Sequence, residues 1–253
     1  MRMSGNTIFI PGATSGIGRA LAERFHEAGN TVIVGGRRRQ LLDEIAAAHP
    51  GIDTVEIDMA DPASIVAASA QVIARHPDLN VVIAMAGIMR VEDWTHPESF
   101  LSSAEQIVTT NVLGPIRLIG AVIEHLRTRA DATIVTVSSG LAFVPLRSTP
   151  SYNASKAAIH MLSESLRLQL ADTSVRVVEL EPPAVATDLM PGQRHSRIAM
   201  PLDHFVDEVM SILAAEPDVT EVQVERVKFL RHAETRGDYS EVVARLNATD
   251  PHA

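Results

Sequence analysis

Tyr152 and Lys156 stand four residues apart in a segment that reads as helix. Residues at that spacing share a helix face, so the lysine ammonium is expected beside the phenol. A nearby cation favours the phenolate and lowers a pKa that is ordinarily about 10. Tyr152 is therefore a candidate acid and base near neutral pH. Ser139, thirteen residues upstream at the end of an expected strand, adds a hydroxyl. Tyr-x-x-x-Lys alone is a frequent spacing on exposed helices, so its chemistry depends on what surrounds it.

The surrounding pattern alternates strands with helices. Apolar runs at 7–10, 31–34, 52–57, 80–84, 133–137 and 175–180 read as strands. Several are continuously apolar, as buried parallel strands are. Helical periodicity follows each: Ile17, Leu21, Ala22 and Phe25 after the first, a long run over 100–126 broken near Gly114-Pro115, and 152–170. This predicts an α/β, Rossmann-like doubly wound parallel sheet in one domain over 1–253, with about seven strands and helices on both faces. Right-handed crossovers bring the loops after residues 10, 34, 57, 84, 137 and 180 to one sheet edge, where ligands bind. Residues 201–215 read as a helix, 221–227 as an edge strand of period two, and 239–246 as a short closing helix. The polar, breaker-rich stretch 188–200 reads as a mobile substrate loop.

Composition narrows the function. The 253 residues are 46% hydrophobic and 21% charged, as in a globular protein. With no cysteine, thiol catalysis and thiolate metal sites are excluded. A formal charge of −9 argues against a nucleic-acid partner. No signal-like segment and no apolar run long enough for a bilayer is expected, which predicts a cytoplasmic protein without a membrane partner. Ten histidines are scattered without a ligand cluster, so no metal is expected, and His160 reads as a packed helix residue. Met85 and Met89, with Phe143, Leu146, Leu189 and Trp94, are candidates for an apolar substrate pocket. Arg90 and Arg147 offer an alternative acid-binding surface.

Gly12, Gly16 and Gly18 lie between the first strand and its helix, with Thr14, Ser15 and Ile17 among them. Glycine permits close backbone approach, and a helix amino terminus attracts a pyrophosphate. At the end of the second strand an acid would bind ribose hydroxyls, whereas arginine accommodates a 2′-phosphate. Here Arg37 and Arg38 follow Gly36, with no acid before Asp43. NADP is expected over NAD.

Gly12-x-x-x-Gly16-x-Gly18, Asp58, Ala86-Gly87, Asn111, Ser139, Tyr152-x-x-x-Lys156 and the run from Pro182 to Thr187 follow the order and spacing of the short-chain dehydrogenase/reductase family, which the chain resembles over about residues 5 to 190. The stretch from Ser138 to Pro145 is similar to the family's DltE-like branch. The resemblance implies interconversion of a carbonyl and an alcohol by hydride transfer. It makes Tyr152 the acid/base, Lys156 the group that lowers its pKa and holds the nicotinamide ribose, Ser139 a donor to the substrate oxygen, and Asn111 the support of a proton-relaying water. Asp58, with Met59, would meet the adenine. Ala86, Gly87, Pro182, Val185 and Thr187 complete the implied cofactor site, the last two at the carboxamide. The family's usual partners are also implied: a small-molecule substrate, and a homodimer or homotetramer formed through helices 100–126 and 152–170.

Three departures mark this chain. Pro11 replaces a usual Thr, Ala84-Met85 an Asn pair, and Pro183 a Gly, which predicts altered scaffolding beneath the cofactor with activity retained. A dinucleotide-binding regulator or assembly subunit without turnover, and an epimerase or dehydratase, are the alternatives on the same fold. The presence of Ser139, Tyr152, Lys156 and Asn111 together favours the oxidoreductase.

Overall fold

The computed structural model describes residues 1–250. Seven parallel strands form one sheet: β1 Thr7–Pro11, β2 Thr31–Gly36, β3 Ile52–Glu56, β4 Val81–Ala84, β5 Ala132–Val137, β6 Val175–Leu180 and β7 Glu221–Val222, in the order β3-β2-β1-β4-β5-β6-β7. Successive side chains of a strand point to opposite faces, and each apolar run supplies two cores at once. Ile8, Ile10, Val32, Val34, Val81 and Ile83 face one layer, whereas Phe9, Ile33, Val82 and Ala84 face the other. Burying each of the Ile, Val and Phe side chains stabilises the fold by about 1.5–3 kcal/mol.

The helices are α1 Gly16–Glu27, α2 Arg39–Ala48, α3 Pro62–Arg75, α4 Pro97–Val108, α5 Gly114–Leu126, α6 Pro150–Leu170, α7 Leu202–Ala215, α8 Lys228–Arg231, α9 Ala233–Arg236 and α10 Tyr239–Ala248. Leu21 and Phe25 of α1 join Phe205 and Val209 of α7 on one face. Ile65 and Val72 of α3 join Leu118 and Val122 of α5 on the other. The sheet is therefore doubly wound. Strand order reverses between β1 and β4, the switch point at which such sheets open a crevice.

The break expected in the long helix is a π-helical turn, Thr109–Leu113, between α4 and α5. Pro115 has no N–H to return to the carbonyl of Asn111, which interrupts the α-helical ladder there. By length and composition alone the run Pro97–Leu126 could span a bilayer, contrary to the expectation that no segment would. Of its apolar residues, Ile107, Leu118 and Val122 are buried within the fold, whereas Leu101, Val108 and Ile116 are exposed.

One further expectation is revised. The edge strand predicted over 221–227 is two residues long, because β7 pairs only with Glu179 and Leu180 at the end of β6 before the chain turns into a 3-10 helix, Glu225–Val227. Pro11 ends the β1–β2 ladder against Gly35, while pairing with β4 stops at Phe9 and Val82. Gly12 N donates to Gly35 O at 2.8 Å, so the alternating donor position at residue 11 faces β4. Proline leaves that position without an N–H. At the opposite sheet edge a buried amide trio ties the strands. Asn80 Oδ1 accepts from Thr7 N at 2.8 Å, Asn80 Nδ2 donates to Asn6 Oδ1 at 3.2 Å, and Asn6 Nδ2 donates to Asn30 Oδ1 at 2.8 Å.

Candidate active site

The carboxyl ends of β1 to β6 open on a cleft of about 520 Å³. Its floor begins at the turn between β1 and α1. Gly12 has φ +92°, and a Cβ there would stand 2.5 Å from the Ala86 backbone. Gly18 is as confined: a Cβ would meet Gly12 O at 2.7 Å. Ser15 precedes the first turn of α1 and makes no side-chain cap, so the leading N–H groups of the helix are open to an anion.

The three arginines after β2 separate. Arg38 donates to Thr14 Oγ1 at 2.7 Å and Ser15 Oγ at 2.9 Å, fastening itself across the glycine turn. Arg39 pairs with Asp43 and lies off the cleft. Arg37 lines the cleft, is exposed, and has no partner among the described residues. Asp58 and Met59 line the same end. Asp58 Oδ1 accepts from Ala60 N at 2.9 Å, which shapes the loop after β3. Gly16, Ile17, Ala86, Gly87, Pro182, Val185 and Thr187 also line the cleft. Uncapped amides and glycines that admit no Cβ together fit the pyrophosphate of a nicotinamide dinucleotide.

At the other end, Ser139 caps the 3-10 turn Gly140–Ala142, its Oγ accepting from Leu141 N at 3.1 Å. Tyr152 and Lys156 project from α6 into the cleft. Burial pushes the Tyr152 phenol up to about 12, with the Ser139 hydroxyl acting in the opposite direction. The lowering expected from Lys156 is not what this geometry produces. The ammonium sits 5.5 Å from the phenol ring centroid and donates to Val137 O at 2.8 Å. Burial also pulls Lys156 down to about 8, opposed by the charge of Glu179.

Asn111 is buried in the π-helical turn and clips the loop after β4. Its Oδ1 accepts from Ile88 N at 2.8 Å, and its Nδ2 donates to Ile88 O at 2.9 Å and Ser155 Oγ at 3.1 Å. Ser155 Oγ in turn donates to Tyr152 O at 2.7 Å. Asn111 thus joins the helix break to the helix that carries Tyr152 and Lys156.

The loop 188–200 is pinned at its base by a bridge between Val185 and Met200, and Gln193 Nε2 donates to Val185 O at 2.7 Å. Asp188, Leu189 and Gln193 face the cleft. Met85, Met89 and Arg90 line it as well, but Trp94, Phe143, Leu146 and Arg147 do not. Trp94 stacks on Phe100, and Arg147 offers its backbone N–H to Asn247 Oδ1 at 2.6 Å.

A family model described as short chain dehydrogenase matches residues 6–197. The chain belongs to the short-chain dehydrogenase family. The uncharacterized oxidoreductase DltE of Bacillus subtilis is 36% identical over 254 residues, covering 99% of this chain and all of that one. Mouse dehydrogenase/reductase SDR family member 7B is 30% identical over 192 residues, or 72% of this chain and 58% of that one. A Burkholderia cenocepacia short chain dehydrogenase in complex with NADP superposes with a TM-score of 0.81 at 25% identity, covering 97% and 99% of the two chains. A Brucella melitensis 3-ketoacyl-(acyl-carrier-protein) reductase complexed with NADH shares the fold, with a TM-score of 0.78 at 23% identity over 89% of this chain and all of that one.

Two features of this short-chain dehydrogenase escaped the sequence reading. Glu92 is buried and caps α6 from a distance, its Oε2 accepting from Ser151 N at 3.0 Å and its Oε1 from Ser103 Oγ at 2.8 Å. The second is a group of carboxylates behind Lys156. Glu179 and Glu181 are fully buried, and His160 Nδ1 lies 3.0 Å from Glu179 Oε2. His160 is thus a partner of a buried acid, beyond the packing role read from its place on the helix. Glu179 near the end of β6 and Glu181 just past it, in a largely apolar and buried run, were the available signal.

Proposed function

We propose that the chain is an NADPH-preferring oxidoreductase interconverting a ketone or aldehyde with its alcohol, with Tyr152 as acid/base. The observation that carries this reading is that Ser139, Tyr152 and Lys156 share one cleft with the glycine turn and the unpaired Arg37. Held by Gly12, Gly16, Gly18, Asp58 and Thr187, with Arg37 at the 2′-phosphate, the cofactor would supply the hydride for the carbonyl carbon.

The protein's own work is proton handling and charge stabilisation. As negative charge builds on the carbonyl oxygen, Ser139 and Tyr152 donate to it and Tyr152 passes its proton across. A phenol at about 12 stays loaded for reduction at neutral pH. Lys156 offsets the phenolate left behind, and Asn111 holds the loop and helix around it in register. Donor and counter-cation on adjacent turns of α6 favour turnover over the role of a silent dinucleotide-binding subunit.

Leu101, Val108 and Ile116 on α4 and α5, and Met161 and Leu168 on α6, are large exposed apolar side chains. They support self-association through these helices. The deciding experiment is a panel of ketones, aldehydes and secondary alcohols followed by nicotinamide absorbance with NADPH and NADH. Reduction or oxidation with NADPH favoured is the expected result. Cofactor binding without redox turnover of any member would overturn the reading.

A further inference from the structure

The carboxylates behind Lys156 belong to a buried charge cluster outside the cleft. Side-chain ligand atoms of His160, Glu179, Glu181 and Glu221 all lie within 4.8 Å of one another. Two guanidiniums answer them. Arg167 Nη2 is 3.2 Å from Glu179 Oε2, while Arg231 reaches Glu221 Oε2 at 3.1 Å through Nη2 and Glu181 Oε1 at 3.5 Å through Nε. Burial, and then the charges of Glu179 and Glu221, push Glu181 up to about 9. Burial thus favours its protonated form, and the two guanidiniums face Glu179 and Glu221 directly.

Its members lead to the catalytic residues from two sides. His160 lies one helical turn beyond Lys156 on α6. Phe143, at the end of the 3-10 turn that Ser139 caps, sits edge-on to the His160 ring at 4.6 Å and under the Arg231 guanidinium at 4.4 Å. The segment carrying Arg231 also presses on the turn, since a Cβ at Gly140 would meet Leu230 Cδ1 at 2.8 Å. Glu181 directly precedes Pro182, whose carbonyl accepts from Gly140 N at 3.0 Å. Arg231 itself lies beyond residues 6–197, which the family model matches.

We propose that Arg231 is a positioning residue: anchored on Glu221 and Glu181, it clamps Phe143 against His160 and thereby fixes the Ser139 turn relative to the helix of Tyr152 and Lys156. A buried ion pair is weak evidence of stabilisation in itself. The consequence of this one is geometric, and small errors in donor placement are costly in rate. The inference rests on the acid/base reading given above.

The test uses the full chain with a ketone that the wild type reduces. Arg231→Met alone strands Glu221, so it is paired with Glu221→Gln to leave the net charge of the cluster unchanged, and Phe143→Leu removes the stack without touching charge. Measurements are kcat, KM, NADPH affinity, and hydrogen exchange at the backbone amides of residues 141–144. In the Arg231→Met/Glu221→Gln protein, kcat should fall about 10- to 100-fold. KM and NADPH affinity should stay within about twofold, and exchange at the turn should accelerate. Arg231→Lys, which restores charge without the planar stack, should not recover kcat. Adding Phe143→Leu should bring no further loss, because both changes break one contact.

Wild-type kcat and exchange in the folded double variant would overturn the proposal, as would losses that multiply. If the double variant does not fold, unchanged kcat and exchange in Phe143→Leu overturn it equally. If the wild type reduces no carbonyl, the acid/base reading fails and the exchange data alone decide the clamp.

Discussion

Lys156 reaches past the edge of Tyr152 to the end of β5: its ammonium lies 5.5 Å from the phenol ring centroid and 2.8 Å from Val137 O. Both groups are buried, and burial moves their pKa values toward the neutral forms, Tyr152 up to about 12 and Lys156 down to about 8. The pair is thus set to hold a proton on the phenol and to lose one from the lysine at mildly alkaline pH.

Tyr152→Phe removes the proton donor and leaves the ring in place. Reduction of a carbonyl substrate should fall by about a hundredfold or more, while NADPH titrated by fluorescence should bind within about twofold of wild type. Substantial residual kcat would remove Tyr152 from the acid/base role.

The lysine predicts a pH limb. Below about 8 Lys156 is charged and offsets a phenolate, and above that value the cation is lost. The kcat for reduction should therefore decline as pH rises through about 8. A kcat flat from pH 7 to 10 would contradict this assignment.

Arg37, just past the end of β2, is a cleft-lining guanidinium without a partner among the described residues. A charge-assisted contact to a phosphate contributes about 1.5–3 kcal/mol, or roughly 10- to 100-fold in affinity. Arg37→Ala should weaken NADPH by about that factor and barely affect NADH. Equal weakening of both would refute a 2′-phosphate contact.

Glu181 links the cluster to stability. Its carboxyl is raised to about 9 in the fold by burial and by Glu179 and Glu221, with Arg231 opposing. A raised folded pKa gives a contribution present in full below the unfolded value, about 4.3, and lost as pH climbs towards about 9. Glu181→Gln should flatten the decline in thermal stability between pH 5 and 9. A variant with the same slope as wild type would show that Glu181 titrates normally.

Shortening the 188–200 loop within residues 191–198 should raise KM for the carbonyl substrate severalfold and spare NADPH affinity. The loop faces the cleft through Leu189 and Gln193, while its base is fixed by the Val185–Met200 bridge. Unchanged KM would separate the loop from substrate binding.

The sheet was legible because its strands are continuously apolar and each is followed by a helical stripe. The glycine turn and the Tyr152–Lys156 spacing were legible because local geometry alone constrains them. What the sequence hid are contacts between distant segments. Glu92 caps α6 from 59 residues away, and Arg231 meets Glu181 across 50 positions. The pKa of Tyr152 was misjudged for the same reason. Four-residue spacing brings Lys156 near, but the direction of the shift is set by burial, which only the packed fold reveals. Likewise Trp94, Phe143 and Leu146 were assigned to the pocket by apolarity, and the fold directs them elsewhere.

Asn247 donates through Nδ2 to Pro145 O at 3.0 Å and accepts at Oδ1 from Arg147 N at 2.6 Å. The segment downstream of Ser139 is thereby held by α10, about a hundred residues further along the chain. During synthesis, the glycine turn and β1 to β4 are available to pair long before residue 247 exists. A domain folds as a unit, so the loop that follows Ser139 reaches its final anchorage only once α10 has been synthesised.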